Sequence, residues 1–130
     1  MIKLIKRFFA VPVILFSCIA INGQEERPAK RIELKAGAPA TVLQGVVRKD
    51  YEVVYTFSAK AGQKFRGRLT KKDGNIGFEV RDPNGDGLDE EEYDYNTHLT
   101  GSLKKTGDYK ILVSTFETKE SKYTLSVRTY

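Results

Sequence analysis

Apolar side chains recur at every second position along most of this chain, and that period leaves few folds open. Tyr51, Val53, Tyr55, Phe57 and Ala59 share one face of a run that Ala61-Gly62-Gln63 closes. Phe65, Gly67 and Leu69 then face one way while Lys64, Arg66 and Arg68 face the other, the pattern of a half-buried strand. Ile32 and Leu34 alternate with Arg31, Glu33 and Lys35 before a turn at Gly37-Ala38-Pro39, and Thr41 to Val47 is a second β-prone run. Asp73-Gly74, at the centre of Lys71 to Asn75, predicts a hairpin turn into Ile76, Phe78 and Val80, a strand that Pro83 stops. Further on come a weak strand over Leu99 to Leu103, a turn at Lys105-Thr106-Gly107 and a strong strand from Tyr109 to Phe116. Glu117 to Ser121 is a polar turn, and Tyr123, Leu125 and Val127 form a last alternating run. No window of a dozen residues beyond the N-terminal segment has helical periodicity. Short strands spaced about 8–12 residues apart, with turn signals between them, predict an all-β, antiparallel sandwich or barrel of seven to eight strands.

The N-terminus is of another kind. Lys3, Lys6 and Arg7 precede an apolar run from Phe8 to Ile21, and Gly23-Gln24 follows it. A charged start, a short hydrophobic stretch and small residues near a cut are the layout of a secretory signal peptide. The run is 14 residues long and contains Pro12, whereas a membrane-crossing helix needs about 20. The expectation is therefore a removed signal over residues 1–23, a flexible polar lead-in over 24–30 and one domain over 31–130, working in the periplasm or secreted. Cys18-Ile19-Ala20 offers another cut. Leu15-Phe16-Ser17-Cys18 resembles a bacterial lipobox, so a lipid anchor on Cys18 is the alternative.

Cleavage changes the composition that matters. About 107 residues remain, enough to bury roughly 60–68% of the extended chain's surface in one modest core. Cys18 is the single cysteine, so the processed domain has neither a disulfide nor a thiolate nucleophile, and packing must stabilise it. Loss of Lys3, Lys6 and Arg7 leaves 19 basic and 17 acidic residues, a net charge of +2. Asp82 to Asp94 holds seven acids and no base, which leaves the rest of that domain at +9. Such a dipolar surface steers encounters with partners. It is no nucleic-acid footprint, because the bases are scattered and no aromatic interleaving accompanies them.

Catalytic chemistry has little to work with. His98 is the sole histidine, at the end of the acidic segment, and a triad needs a nucleophile and an orienting group around its base. The adjacent acids Asp89 to Glu92 lack the apolar pocket that would tune a general acid. The sequence predicts no enzyme. For a metal, Asp82-x-Asn84-x-Asp86-Gly87 matches the opening of a calcium loop, in which alternate oxygens wrap a hard cation. The bidentate glutamate of an EF-hand would fall at Tyr93, with Glu92 one residue short. Asp82, Asn84 and Asp86 thus stand as an irregular calcium candidate, against the plain reading of two successive β-turns.

Four segments together carry a resemblance. Tyr55-Thr56-Phe57-Ser58-Ala59-Lys60-Ala61-Gly62-Gln63 resembles the Y-x-F-x-A-x-x-G-Q signature of bacterial pre-peptidase C-terminal (PPC-like) β-sandwich domains. Val80 to Gly85 resembles their V-x-D-P-x-G, Thr106 to Val113 their T/S-G-x-Y-x-x-x-V, and Tyr123 to Val127 their closing Y-x-L-x-V. The resemblance implies a jelly-roll-like antiparallel β-sandwich over nearly the whole processed chain. A free-standing copy behind a signal peptide is most similar to the periplasmic inhibitors of g-type lysozyme. Those share the G-Q turn and carry Ser-Gly-x-Tyr where this chain has Thr106-Gly107-Asp108-Tyr109. Thr106 keeps the hydroxyl and adds a methyl group.

What the resemblance implies is a protein partner, a g-type lysozyme, met by the Thr106-Gly107 turn. Lys104 and Lys105 would face the carboxylates of its cleft, and Tyr51, in the Arg48-Lys49-Asp50-Tyr51 loop, would pack alongside. Tyr55, Tyr109 and Tyr123 are expected in the core. The competing expectation is a generic PPC-like accessory module that binds polysaccharide or calcium, with Tyr93 and Tyr95 exposed to stack on sugar rings.

Overall fold

The computed structural model describes residues 28–130. Those residues form nine strands and no helix: β1 Lys30–Arg31, β2 Thr41–Val47, β3 Val53–Ala59, β4 Gln63–Lys72, β5 Ile76–Arg81, β6 Asp89–Asp94, β7 His98–Leu103, β8 Gly107–Thr115 and β9 Ser121–Thr129. They make two sheets, one of four strands in the order β1-β3-β8-β5 and one of five in the order β2-β9-β4-β7-β6. The all-β sandwich expected from the alternation is present. Residues 1–27, with the expected signal and Cys18, lie outside the described residues.

Alternation produces the sandwich because each sheet has one face to hide. Val53, Tyr55 and Phe57 on β3, Ile76, Phe78 and Val80 on β5, and Tyr109, Ile111 and Val113 on β8 are buried from one side. Leu43 and Val47 on β2, Phe65 on β4, Leu99 and Leu103 on β7, and Leu125 and Val127 on β9 meet them from the other. Each such side chain contributes about 1.5–3 kcal/mol of burial. Phe57 stacks on its strand partner Tyr109 and, in the opposite sheet, on Phe65, with ring centroids 5.5 Å apart in both cases. Tyr55 and Tyr123 lie inside, as the alternation predicts, and their buried hydroxyls meet across the layers at 2.6 Å. Each phenol thereby has a partner.

Three details differ from the sequence expectations. The first strand is Lys30–Arg31 rather than the Ile32–Leu34 run, and it pairs parallel with β3, the one parallel strand pairing among the described residues. Ile32 N–H adds a further bond to Thr56 O at 2.9 Å, and Ile32 and Leu34 pack partly buried against the core. The acidic segment is only half a loop, because Asp89–Asp94 is β6 at the rim of the five-stranded sheet. Aspartate and glutamate are poor strand formers in a sheet interior, but an edge strand leaves charges in water and uses them to repel further pairing. That strand raises the total to nine. Finally, Tyr95 is not an exposed ring. It leaves the β6–β7 turn to lie on Gly77, where an added Cβ would sit 2.0 Å from its ring, and its hydroxyl bonds to Ser114 Oγ. Phe78 N–H donates to Tyr95 O at 3.0 Å, so the turn of one sheet clasps the edge strand of the other.

Candidate functional site: the loop cluster at one end of the sandwich

Strand register brings three turns to the same end. Ala59 pairs with Gly107, and Gln63 with Leu103. The β3–β4 turn, the β5–β6 connection and the β7–β8 turn therefore leave the sheets together. These are the G-Q, D-P-x-G and T-G-x-Y segments, far apart in sequence and adjacent here.

Each residue of the T-G-x-Y segment has a structural task. Thr106 Oγ1 accepts the Ala61 N–H at 3.0 Å, which ties this turn to its neighbour. Gly107 has φ +152°, and a Cβ there would approach Pro83 Cγ to 2.9 Å, so only glycine fits under the proline. Tyr109 sits fully in the core, yet its hydroxyl donates to Lys105 O at 2.6 Å and accepts Lys105 N–H at 3.1 Å. The core thereby holds the turn from beneath. Asp108 points outward, accepts from Ser58 Oγ at 2.8 Å and pairs with Arg31 at 3.1 Å. The Ser58 bond first, and Arg31 second, hold its carboxyl below the usual range.

Asp82 organises the adjoining turn. Its Oδ1 accepts the N–H groups of Asn84 at 2.8 Å and Asp86 at 3.0 Å, and its Oδ2 pairs with Lys105 Nζ at 3.1 Å. Asp82 N–H reaches Asp86 O at 2.7 Å, and Gly85 N–H reaches Asp82 O at 2.8 Å. Desolvation opposes ionisation here, but the Asp86, Lys105 and Asn84 donors outweigh it and keep the carboxyl below its ordinary value. Both carboxylate oxygens thus face donors, the reverse of a cation cage. Asp82, Asn84 and Asp86 form a capped turn. Among the described residues no three His, Cys, Asp or Glu side chains converge as a metal group.

The partner-binding candidates divide. Lys104, Lys105, Thr106 and Gly107 are brought together, with both lysines and Thr106 exposed. Tyr51 is elsewhere. It precedes β3, whose far end reaches the Thr106 turn, so seven strand residues separate the two, over 20 Å at about 3.3 Å each. Its loop belongs to the opposite end, where Lys49 N–H bonds to Glu117 O at 2.7 Å and Arg48 lies 5.5 Å from the Tyr51 ring. The packing of Tyr51 beside Thr106 is thus corrected by topology. His98 begins β7, bonded to Thr97 Oγ1 at 3.0 Å and facing Glu92 at 3.5 Å. The Asp82–Lys105 pair and the Pro83 roof escaped sequence reasoning, although the order of the motifs held the signal.

Known structures share this architecture. PliG of Aeromonas hydrophila, a periplasmic inhibitor of g-type lysozyme, superposes with a TM-score of 0.63 and 21% identity, over 78% of this chain and 97% of that one. PliG of Salmonella Typhimurium gives 0.59 and 20%, over 78% and 100%. The pre-peptidase C-terminal domain of a Bacillus anthracis collagenase gives 0.54 and 20%, over 80% and 100%. The chain has the PPC-like fold. No family model and no curated protein sequence matches it. At this identity the likeness establishes the PPC-like fold and not the role, because one sandwich hosts many functions. Among the described residues no helix is long and apolar enough to cross a membrane.

Proposed function

We propose that this protein is a non-enzymatic, periplasmic or secreted binding protein that inhibits a g-type lysozyme through the Lys104–Gly107 turn. One observation carries the reading: the turn is exposed, cationic and fixed from three sides. Thr106 Oγ1 already accepts from Ala61 N–H, so its own proton is left to donate outward. Glycosidase clefts work with carboxylates, and a preorganised loop that carries two lysines, with Lys105 steadied by Asp82, and a hydroxyl is complementary to them. The solved PliG inhibitors with this fold support the choice of partner. Tyr51, at the other end, takes no part in this contact.

Cell-wall lysis by a g-type lysozyme, followed with and without the purified protein, tests the reading. Inhibition at micromolar protein is expected. Reversing charge in K104E/K105E slows association and weakens inhibition by roughly tenfold at low salt, and less at high salt. Lysis that continues unchanged under micromolar excess overturns the proposal. The mass of the processed N-terminus separates release near Gly23 from a lipid on Cys18.

A further inference from the structure

The outward face of the five-stranded sheet carries an arginine cluster that the loop contact does not use. β4 and β9 lie side by side within that sheet and place Arg66 directly opposite Arg128, and Arg68 opposite Ser126. Like charges across a ladder repel. Among the described residues no carboxylate makes an ion pair with Arg66, Arg68 or Arg128. What the first and third share is a ring: Arg66 and Arg128 lie 5.9 Å and 5.4 Å from the centroid of Tyr130. Arg128 Nε is buried and finds no acceptor among the described residues.

The strip has a shape as well as a charge. Arg66 and Arg68 are exposed and two positions apart, about 7 Å along β4, while Arg128 stands about 5.5 Å across. Thr100, opposite Arg66 on β7, and Ser126 add hydroxyls. The Tyr130 ring is 40% exposed. A groove of about 180 Å³ continues past Arg128 along Lys35, Pro39 and Thr41, with Glu33 also on its wall. Guanidinium forks suit planar or tetrahedral oxyanions, and a half-exposed phenol suits the apolar face of a sugar.

The flanks decide what can lie there. On one side β6 runs Asp-Glu-Glu-Glu-Tyr-Asp two strands from β4, about 10 Å away. On the other side β2 is uncharged and exposes Val42 and Val46. A broad anionic plane such as a membrane would press against the acidic strand. A single narrow polyanion lying along β4 keeps its charges over Arg66 and Arg68, two strands away from β6.

We propose that this strip binds a linear anionic polysaccharide, with its carboxylate or sulfate groups on Arg66, Arg68 and Arg128 and a sugar ring against Tyr130. The inference is independent of the lysozyme contact and gives chemical form to the polysaccharide alternative. Titration calorimetry of the purified protein with a heparin octasaccharide, at two salt concentrations, tests it. Binding is expected, weaker at the higher salt, with no heat from neutral dextran. R66S/R68S loses at least tenfold in affinity. K110S, the same kind of charge change on the other sheet, does not. If the double variant loses its cooperative melt, R68S alone answers the question at an exposed position. Absence of heparin binding at millimolar ligand overturns the proposal. So does unchanged affinity in the arginine variant, or arginine-dependent binding to phosphatidylglycerol vesicles or duplex DNA as tight as to heparin. Lysozyme inhibition, measured on the same variant, reports separately on the loop end.

Discussion

At Tyr109 the ring fills the core while the hydroxyl takes both backbone groups of Lys105, so one side chain joins packing to the presented turn. The Tyr55–Tyr123 pair has a different consequence. Burial first, and the Tyr55 hydrogen bond second, push the Tyr123 phenol far above its ordinary value of 10.0. Above pH 10 the unfolded chain releases this proton and the folded one keeps it, so the stability it supplies is lost as pH rises, at up to about 1.4 kcal/mol per unit. Y123F is expected to cost about 1–3 kcal/mol near neutrality by orphaning the Tyr55 hydroxyl. It should also flatten the alkaline fall in denaturant-measured stability relative to the unsubstituted protein. At Gly77 an added methyl collides with the Tyr95 ring. G77A should therefore lower stability by about 1–3 kcal/mol, read as a drop in Tm. Period-two alternation made Tyr55, Tyr109 and Tyr123 legible as core. It could not reveal Tyr95, whose burial comes from a crossing between sheets and not from its own strand.

Among the elements, the turns behave as one interlocked unit, with Asp82 bridging to Lys105 and Gly107 seated beneath Pro83. The Asp82 carboxyl titrates below its ordinary value of 3.8. Its contribution is thus complete above that value and disappears as pH falls through the lower folded one. Hydrogen exchange should show the Asn84 and Asp86 amides losing protection in acid before the core strands do. In D82A those two amides should exchange faster at every pH. The sequence marked these turns by Gly, Pro and Asp with correct positions, yet it could not say that three of them share one end. That needs the register of β3 with β8 and of β4 with β7. For the same reason the sequence alone does not separate Tyr51 from Thr106, and the topology of β3 puts them at opposite ends. β6 stayed hidden because its composition opposes strand propensity, and its place at an edge is a property of the sheet.

Over the whole molecule, strands that are neighbours in space are mostly strangers in sequence: β2 pairs with β9, β3 with β8, and β4 with both β7 and β9. Such non-local pairing predicts slow folding, on millisecond-to-second scales, with a single cooperative transition. It also means that the β4–β5 turn at Asp73–Asn75 is a seam that can be opened. Four of the seven strand pairings would still bridge the two pieces. Residues up to 74 and from 75 onward, produced as separate polypeptides, should co-elute as one species with the strand signature of the intact chain. A polypeptide woven in this way is a natural split reporter: each half is incomplete, and its other half is the template that restores it.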